Sequence, residues 1–567
     1  MAGLPGMNLF DAIFKHDSLQ RTAILFEAQQ ISYAELRKQT ILSARALATL
    51  GIKRGERIAL LLNDSPEFVA SFIAICSFGA IAVPINMALR LDEQLAILSD
   101  CTVSVAIAEV DLCELLLADA PDKLSHLKQV VVVSREEKFT TEDIEEEDEE
   151  TDKAVKIWTF AELMSRAKVA ARMSTFPGAK AQDPSPETAF VEPGENHPAF
   201  ILYTSGSTGE PKGAVHCQSD IFYTNETYCR EVLRLRDGDR LFSSSRLPFA
   251  YGLGNGFTFP LLNGCTTILC REKPTPEVIA RVFADYQPTI FFAVPIIYRL
   301  LLDNQKNHKT TSALDSSSLR LCVSAGEALP AAIGEEWEKT FGVPVLDGIG
   351  STEMLHMWMS NHEGDVVYGS SGKLLRGYQA RLLDPEGQPM PAGREGNLWV
   401  RGASAAIEYW RRPETTARTF VDGWVRTGDL YSQDTDGYWF HMGRSDDCFK
   451  SSGQWVSPVE VEGVLLRHQG ISRAAVVEDF DEAGLPCACA FVVAAETSID
   501  GAALEQGLRE LARAALPRFK QPRRYVFVSE LPYTATGKIQ RFKLRERLKA
   551  VQSPASNIQS LSSASSD

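Results

Sequence analysis

A polar stretch near the middle of the chain carries the residue types that bind phosphate. It reads LYTSGSTGEPKGAVH, residues 202–216, and contains three glycines, five hydroxyl side chains and one lysine, Lys212. Glycine lets the main chain approach a ligand closely, hydroxyl and amide groups donate hydrogen bonds, and lysine supplies positive charge. The preceding AFILY predicts a buried strand that would present the loop. We interpret the stretch as a phosphate-binding loop; a flexible surface loop of similar composition is the alternative.

The spacing of this loop differs from that of the commonest nucleotide-binding loops. Neither the G-x-x-x-x-G-K-[ST] of a P-loop nor the G-x-G-x-x-G of a dinucleotide-binding fold aligns with it. A second glycine-rich turn, GLGNG at 252–256, indicates a close main-chain approach and not a dinucleotide site. The chain also lacks the G-x-S-x-G elbow of a serine hydrolase. As a phosphate-binding loop it would therefore belong to another class, and the alternative of a flexible surface loop stays open at this point.

Composition narrows the class of protein further. The 567 residues are too many for one ordinary domain, and the net charge of −16 argues against a nucleic-acid partner. Eleven cysteines without a C-x-x-C pair indicate neither a disulfide framework nor a zinc site. They are typical of a reducing compartment, and the N-terminus does not resemble a signal peptide. We expect a cytoplasmic protein without a membrane or nucleic-acid partner, either a monomer or a homodimer.

Short apolar runs alternate with helical patterns over the first 130 residues and again after residue 198. This alternation predicts parallel sheets covered by helices on both faces. The uncharged run at 68–85 approaches the length of a membrane span, but Gly79 and Pro84 interrupt it, so we predict a buried helix followed by a buried strand. Residues 135–195 contain a run from Glu142 to Asp152 in which nine of eleven residues are acidic. We interpret 135–195 as a solvated, mobile insertion.

Four more motifs follow the polar loop in a fixed order: DGIGSTEM (347–354), WVRTGDL (424–430), GRSDDCFKSSGQWVSPVEVE (443–462) and PYTATGKIQR (532–541). With YTSGSTGEPKG they resemble the signature motifs of the adenylate-forming enzymes, which include acyl-CoA synthetases, adenylation domains of peptide synthetases and luciferases. The resemblance extends over about residues 10 to 548. It implies an α/β fold with a large N-terminal domain, residues 1–443, of doubly wound mixed sheets and a small β-barrel-like part. A small, mobile α+β C-terminal domain would span 444–550, and 551–567 would form a disordered tail.

The resemblance also implies roles for individual residues. Lys538, Glu353 and Thr204 would be catalytic, with Glu353 as the ligand of Mg²⁺. Asp446 would be the hinge, and Ser452, Gly453, Gln454 and Trp455 would line the tunnel for coenzyme A. The residues implied to bind ATP or AMP are Thr204, Ser205, Gly206, Ser207, Thr208, Gly209, Lys212, Gly326, Glu327, Ala328, Asp347, Gly348, Ile349, Gly350, Ser351, Thr352, Asp429, Arg444 and Lys538.

These residue types suit the chemistry that the resemblance implies. A carboxylate that attacks the α-phosphate of ATP approaches an anion, so positive charge from a magnesium ion and a lysine would lower the barrier. Considered singly, Glu353 could cap a helix, Asp429 could form a turn and Lys538 could be an ordinary surface lysine. The order and mutual consistency of the five motifs favour the functional interpretation for all three.

The segments RLPFAYGLGNGFTFPLLNG (246–264), SAGEALP (324–330) and 347–361 resemble the benzoate–CoA ligase branch of the family. By this resemblance Ala250, Tyr251, Gly326, Ile349, Gly350 and His356 would surround the acyl group, although core packing also explains Tyr251 and His356. We predict an ATP-dependent ligase that joins benzoate or a substituted benzoate, such as 2-aminobenzoate or a hydroxybenzoate, to coenzyme A. Alternatives are loading of the acid onto a carrier-protein phosphopantetheine, or another small carboxylic acid. RLPFAYG departs from the FFAYG expected in that branch. The resemblance therefore does not predict the shape of the pocket wall near Pro248.

Overall fold

The structure is a computed structural model. It describes residues 7–15, 19–113, 116, 123–134, 155–173, 190, 197–205, 211–307, 314–391, 393–452, 454–481, 483–495, 501–533 and 539–552. The chain divides into two compact units. The first comprises Met1–Leu329, Ile333–Ala380 and Val400–Arg426, and the second comprises Pro330–Ala332, Arg381–Trp399 and Thr427–Asp567.

Two large sheets organise the first unit. Strands are numbered along the chain: β1 (Thr22–Phe26), β2 (Gln29–Ser32), β3 (Arg57–Leu61), β4 (Ile81–Pro84), β5 (Val105–Glu109), β6 (Gln129–Val133), β7 (Lys156–Thr159), β8 (Pro198–Ser205), β9 (Pro211–Cys217), β10 (Arg240–Ser243), β11 (Thr266–Leu269), β12 (Ile290–Ala293), β13 (Leu321–Ser324), β14 (Val345–Gly350), β15 (Met357–Ser360), β16 (Lys373–Leu374), β17 (Gln379–Leu383), β18 (Gly396–Arg401), β19 (Glu408–Tyr409) and β20 (Phe420–Val421). The nine-stranded sheet has the order β16-β15-β14-β13-β12-β10-β11-β1-β2, and the eight-stranded sheet has the order β19-β9-β8-β4-β3-β5-β6-β7.

Both sheets are parallel at the centre and antiparallel at one or both edges. In the nine-stranded sheet β10 to β14 pair in parallel, whereas β14 with β15 and β1 with β2 are antiparallel. In the other sheet β8, β9 and β19 form the antiparallel edge. The parallel strands are almost fully buried, as expected for strands covered on both faces. The structure thus confirms the predicted mixed α/β architecture.

Helices fill the intervals between these strands and continue into the second unit: α1 (Leu9–Phe14), α2 (Tyr33–Thr49), α3 (Pro66–Phe78), α4 (Leu91–Asp100), α5 (Phe160–Met173), α6 (Gln218–Thr224), α7 (Ala250–Leu253), α8 (Phe259–Leu262), α9 (Pro276–Tyr286), α10 (Pro295–Asn307), α11 (Ala331–Phe341), α12 (Pro413–Thr419), α13 (Pro458–Leu465), α14 (Gly501–Ala515) and α15 (Arg541–Gln552). Two segments have π-helical geometry, Asn225–Leu233 and Gly254–Thr258. Both lie close to the candidate site described below.

The uncharged run at 68–85 forms helix α3 and strand β4, which confirms the prediction of a buried helix followed by a buried strand. The Ser65 side chain accepts a hydrogen bond from the amide of Phe68, and Pro66 occupies the first turn. Gly79 ends the helix with a φ of 85°, in the left-handed region that glycine adopts without strain. Across the residues that the structure describes, no helix is both long and apolar enough to cross a membrane.

The prediction of a solvated insertion at 135–195 is wrong for residues 156–173. Strand β7 pairs in parallel with β6 and extends the eight-stranded sheet, and α5 follows it directly. Trp158, Leu163 and Ala167 are buried there. The short apolar run KIWTF (156–160) is the sequence signal for β7, and the apolar residues after it recur at helical spacing, as expected for α5. Both follow the acidic run, whose composition is typical of a solvated segment. The prediction of a disordered tail at 551–567 is wrong for residues 551 and 552, which end helix α15. Val155 and Phe190 of the predicted insertion are also described, and Phe190 packs against the ring of Phe10. The other residues of the insertion, and the tail from residue 553, lie outside the described residues.

The second unit is a smaller α+β assembly. Its further strands are β21 (Trp424–Gln433), β22 (Trp439–Arg444), β23 (Phe449–Ser451), β24 (Gln454–Val456), β25 (Ile471–Phe480), β26 (Pro486–Ala494) and β27 (Arg524–Phe527). β17, β18, β21 and β20 follow one another in a five-stranded sheet with β22 beside β21. β25 to β27 form a three-stranded sheet with α13 and α14 in its core cluster. A large N-terminal part with mixed sheets and a smaller C-terminal part confirm the predicted fold class, whereas the boundary at residue 443 stays a prediction.

Candidate active site

The predicted phosphate loop connects β8 to β9 as an antiparallel hairpin. Thr204 lies directly opposite Lys212 in the register, so both side chains flank the loop at its base. Four of the predicted ligands, at 206–209, and the side chain of Ser205 lie outside the described residues. A Cβ on Gly213 would lie 2.6 Å from Cγ2 of Ile201. Packing against the neighbouring strand of the hairpin therefore favours glycine at this position.

His216 links the hairpin to the DGIGSTEM segment through a hydrogen bond to its main chain. The sequence motif did not predict this contact. The His216 side chain is fully buried at the end of β9. Nε2 lies 2.8 Å from the Thr352 carbonyl oxygen, which can only accept, and Nδ1 lies 2.9 Å from Oδ2 of Asp220. His216 lies in β9 and Asp220 in the helix that follows, so the helical i,i+4 spacing does not apply to this pair and the sequence carried no clear signal for it. The contact holds the Thr352 main chain, next to Glu353, at a fixed distance from β9.

Tyr409 lies between two charged residues of the predicted motifs, Lys212 and Glu353. Its hydroxyl donates to Oε1 of Glu353 at 2.6 Å. The Nζ of Lys212 lies 6.0 Å from the centroid of the same ring. Tyr409 belongs to β19, where it pairs with Ala214 of β9. Lys212 and Glu353, 141 positions apart in the sequence, thus contact one tyrosine that sequence reasoning missed.

Glu353 suits a magnesium ion. It lies in a short 3-10 turn, Thr352–Met354, and its carboxylate is partly exposed. Over the described part of the chain, no group of three or more His, Cys, Asp or Glu side chains could hold a metal ion. Mg²⁺ is typically held by one or two carboxylates together with water and the phosphates of a substrate. A single hard oxygen donor close to the predicted phosphate loop therefore fits Mg²⁺ and does not fit a structural zinc site.

The carboxyl ends of β13 and β14 present the other predicted nucleotide ligands. These adjacent strands run in parallel, so Gly326, Glu327 and Ala328 after β13 lie beside the 350–352 segment at the end of β14. Gly326 adopts a φ of +93° and is exposed, as is Gly350. Gly348 is buried, and Ile349, Ser351 and Thr352 are half-buried. Open α/β sheets bind ligands at this edge.

Asp347 differs from its neighbours because its side chain points into the protein interior. It is 3% exposed, and Oδ2 accepts a hydrogen bond from the amide of Leu329 at 3.3 Å. Burial raises the pKa of Asp347 to about 8, although the Leu329 amide, the Ser324 hydroxyl and the Gly348 amide each lower it. The carboxyl group is therefore mostly neutral at pH 7 and would not repel an acid substrate.

His356 is the centre of the predicted acyl pocket. Its ring centroid lies 4.7 Å from those of Tyr228 and Phe259 and 5.9 Å from that of Tyr251. Burial lowers the pKa of His356 to about 3, so the imidazole is neutral; the Tyr251 carbonyl opposes this shift. Ala250 is 8% exposed, immediately before Tyr251. The structure thus brings Tyr251 and His356 together, and adds Tyr228 and Phe259, which sequence reasoning missed.

Two glycines pack closely against His356: Gly254 against its ring and Gly350 against its main chain. A Cβ on Gly254 would lie 2.6 Å from Cδ2 of His356, and a Cβ on Gly350 would lie 2.7 Å from its carbonyl carbon. Two distant glycines therefore contact a single residue, which the sequence did not indicate.

We expect Gly254→Ala to displace the His356 ring, because the added methyl group would overlap it. The destabilisation should be about 1–3 kcal/mol, typical of overpacking in a core, with a larger relative loss of acid binding than of ATP binding. Thermal unfolding and separate KM values for acid and ATP measure this, and Gly463→Ala, where a Cβ meets no atom within 4 Å, is the control. Equal changes in both KM values would contradict the proximity of Gly254 to the acid site.

In the second unit, Asp429 and Arg444 form an ion pair across β21 and β22. Arg444 donates from one guanidinium nitrogen to Oδ1 of Asp429 at 3.1 Å and to the Thr427 carbonyl at 3.0 Å. A Cβ on Gly428 would lie 2.8 Å from the same guanidinium group. His441, which sequence reasoning missed, places Nε2 3.6 Å from Oδ1 of Asp429. Asp429 is thus held by two cationic or polar neighbours.

The predicted hinge and tunnel residues follow this pair. Asp446 is exposed within a turn in which the Asp447 and Cys448 amides donate to the Arg444 carbonyl. Ser452 has a φ of +52° between β23 and β24, and Gln454 is exposed. Gly453 and the side chain of Trp455 lie outside the described residues.

Lys538 also lies outside the described residues, but the structure describes both flanks of its loop. Tyr533 and Ile539 form an antiparallel bridge, and the Gln540 amide donates to the Pro532 carbonyl at 2.8 Å. Residues 533 and 539, on either side of the segment that contains Lys538, are therefore held next to each other.

Comparison with known proteins agrees with the order of these motifs. Residues 11–410 match the model of the AMP-binding enzyme family, and residues 460–538 match that of the AMP-binding enzyme C-terminal domain. The chain belongs to the AMP-binding enzyme family, as the motifs predicted. Within it the chain is an acid–thiol ligase of the AMP-forming class.

Named relatives include a benzoate–CoA ligase of Thauera aromatica, 39% identical over 93% of this chain and 92% of its own length. A 4-hydroxybenzoate–CoA/benzoate–CoA ligase of Rhodopseudomonas palustris is 34% identical over 93% of this chain and 90% of its own length. Among solved structures, the anthranilate CoA ligase AuaEII in complex with anthranoyl-AMP superposes with a TM-score of 0.84 and 34% identity, covering 97% of this chain and 99% of that one.

Proposed function

We propose that the chain is an ATP-dependent ligase that joins a small aromatic carboxylic acid, benzoate or a substituted benzoate, to coenzyme A. The observation that carries this proposal is similarity along almost the whole chain to a benzoate–CoA ligase. The aromatic cluster around His356 supports it, because flat apolar walls favour a ring-shaped acid over a flexible aliphatic chain.

The reaction would proceed in two steps. A carboxylate oxygen of the acid attacks the α-phosphorus of ATP, and the bond to the bridging oxygen breaks, so that pyrophosphate leaves. The thiolate of coenzyme A then attacks the carbonyl carbon of the acyl-AMP. The carbon–oxygen bond of the mixed anhydride breaks, and AMP leaves with the oxygen that came from the acid.

For the first step, we assign the phosphate loop with Thr204 and Lys212 to the β- and γ-phosphates. Asp429 would accept hydrogen bonds from the ribose hydroxyls, and Arg444 would orient Asp429 or contact the ribose. Lys538 would supply positive charge to the carboxylate and the α-phosphate as they approach. Glu353 would hold Mg²⁺, and the hydrogen bond from Tyr409 to its Oε1 would orient the carboxylate. The metal ion, when bound, would neutralise charge on the phosphates.

For the second step, we propose that residues 444–550 form a mobile domain that rotates about Asp446. The exposed position of Asp446 in a turn is compatible with a change in its backbone angles. Ser452, Gly453, Gln454 and Trp455 would then line the pantetheine tunnel. The hairpin of β23 and β24 supports this assignment, because Ser452 and Gln454 lie at its tip.

The acceptor is tested with purified protein, ATP, Mg²⁺ and benzoate or a hydroxybenzoate. We expect thioester on free coenzyme A, detected by chromatography and mass spectrometry. Thioester only on the phosphopantetheine of a carrier protein would contradict the acceptor in this proposal. Conversion of short fatty acids at the expense of every aromatic acid would contradict the substrate class.

A further inference from the structure

Two fully buried tyrosines, Tyr228 and Tyr298, and the half-buried Tyr251 lie close together near His356. They differ in whether the hydroxyl group has a hydrogen-bond partner. The Tyr298 hydroxyl donates to the Val323 carbonyl at 2.8 Å, and the Tyr251 hydroxyl donates to the same oxygen at 3.1 Å. Tyr228 is fully buried, yet its hydroxyl has no hydrogen-bond partner among the residues that the structure describes. Buried polar groups without a partner are few in native proteins and usually reflect a bound molecule or a functional role.

Tyr228 borders the predicted acyl pocket. Its ring contacts His356 at a centroid distance of 4.7 Å, and His356 in turn lies beside Tyr251. Tyr228 also lies near enough to Asp347 and Tyr251 to interact with both electrostatically. Tyr228 therefore lies beside residues of the predicted acyl pocket.

The local backbone points to the same place. Tyr228 lies in the π-helical segment Asn225–Leu233, and the second such segment, Gly254–Thr258, packs Gly254 against His356. Such segments are rare and occur frequently at functional sites. Asn255, in the second segment, is fully buried, and neither of its side-chain polar atoms has a partner in the described part of the chain. Each π-helical segment thus carries a buried polar side chain that has no partner among the described residues.

We propose that the Tyr228 hydroxyl is a specificity determinant that binds a hydroxyl or amino substituent on the aromatic ring of the acid. This inference rests on the proposed function and refines its substrate class: hydroxybenzoates or aminobenzoates are preferred to benzoate. A phenolic hydroxyl both donates and accepts, so it complements either substituent. Benzoate would fill the same space but leave this hydroxyl unsatisfied.

The first test compares substituents of similar size on the wild-type protein. We measure kcat/KM by pyrophosphate release for benzoate and for the hydroxy-, amino- and methylbenzoates substituted at positions 2, 3 and 4. At the preferred position, the hydroxy or amino acid should exceed the methyl acid by about 10- to 100-fold, the range for one unsatisfied buried polar group. The series, hydroxybenzoates or aminobenzoates, with the larger kcat/KM relative to the methylbenzoate identifies the preferred substituent.

The second test compares two tyrosine variants. Tyr228→Phe should reduce the ratio of substituted to methyl acid to within about threefold without lowering Tm, because the hydroxyl that it removes has no partner among the described residues. Tyr298→Phe is the matched control: it removes a satisfied hydrogen bond, so Tm should fall while the ratio is retained.

A wild-type ratio near one at every position would overturn the proposal, as would an unchanged ratio in folded Tyr228→Phe. The wild-type comparison decides alone if that variant does not fold. Failure of every acid to release pyrophosphate is a different outcome, since it would overturn the proposed function itself.

Discussion

Lys538→Ala should lower the rate of acyl-AMP formation by about 100- to 1000-fold, the loss typical of removing one preorganised charge from a transition state. The carboxylate and the α-phosphate both carry negative charge, and a compact ammonium group stabilises their approach as a point charge. In the second step, a thiolate attacks the uncharged carbonyl group of the acyl-AMP. Thioester formation from supplied acyl-AMP should therefore change by less than about threefold, because no comparable charge develops there.

The two half-reactions are measured separately, by pyrophosphate release in single turnover and by thioester formation from synthetic acyl-AMP. Lys543→Ala is the matched control, since Lys543 is an exposed lysine in the adjacent helix α15. It should leave both rates unchanged. Equal losses in both half-reactions for Lys538→Ala would contradict the proposed division of labour.

Glu353→Gln should lower the rate of adenylation by about 100-fold and raise the Mg²⁺ concentration needed for half-maximal rate by about 10-fold, as for loss of a carboxylate ligand. The amide oxygen can still accept the hydrogen bond from Tyr409, so the change is mainly one of charge. A readout independent of turnover is the Mg²⁺ dependence of ATP binding, measured by calorimetry without acid.

Two variants separate the role of the charge from that of the local structure. Glu408→Gln removes an exposed carboxylate next to Tyr409 and should have no effect. Tyr409→Phe keeps the Glu353 charge but frees its orientation, and should produce a smaller shift in Mg²⁺ requirement than Glu353→Gln. An unchanged Mg²⁺ dependence of ATP binding in Glu353→Gln would exclude it as the ligand.

The strands and helices of the first unit were largely predictable, because buried parallel strands are short apolar runs and the helices between them have clear start signals. The run at 68–85 shows this, with Ser65, Pro66 and Gly79 marking the ends of α3. Prediction failed at β7 and α5 because their pattern is short and follows a dense acidic run. The order of the strands in the two sheets could not be predicted in the same way. It depends on contacts between segments that are distant in the sequence, and the spacing of apolar residues carries no information about such contacts.

The motifs indicated which residues to examine, but not which side chains support them. Tyr409 lies 56 positions from Glu353, and Thr352 lies 136 positions from His216. The sequence around Tyr228 contains no motif, and only the structure shows that its hydroxyl is buried without a partner among the described residues. Such relations arise from the tertiary structure, so no local spacing in the sequence could predict them.

The central claim is that the acid is activated as an acyl-AMP, and oxygen transfer tests it most directly. An aromatic acid labelled with ¹⁸O in its carboxylate is incubated with the protein, ATP, Mg²⁺ and coenzyme A. The proposed reaction predicts that one labelled oxygen appears in AMP, since the attacking carboxylate oxygen remains on the α-phosphorus when the thiol displaces AMP. Formation of the acyl-CoA with unlabelled AMP, or with ADP and phosphate as products, would contradict it.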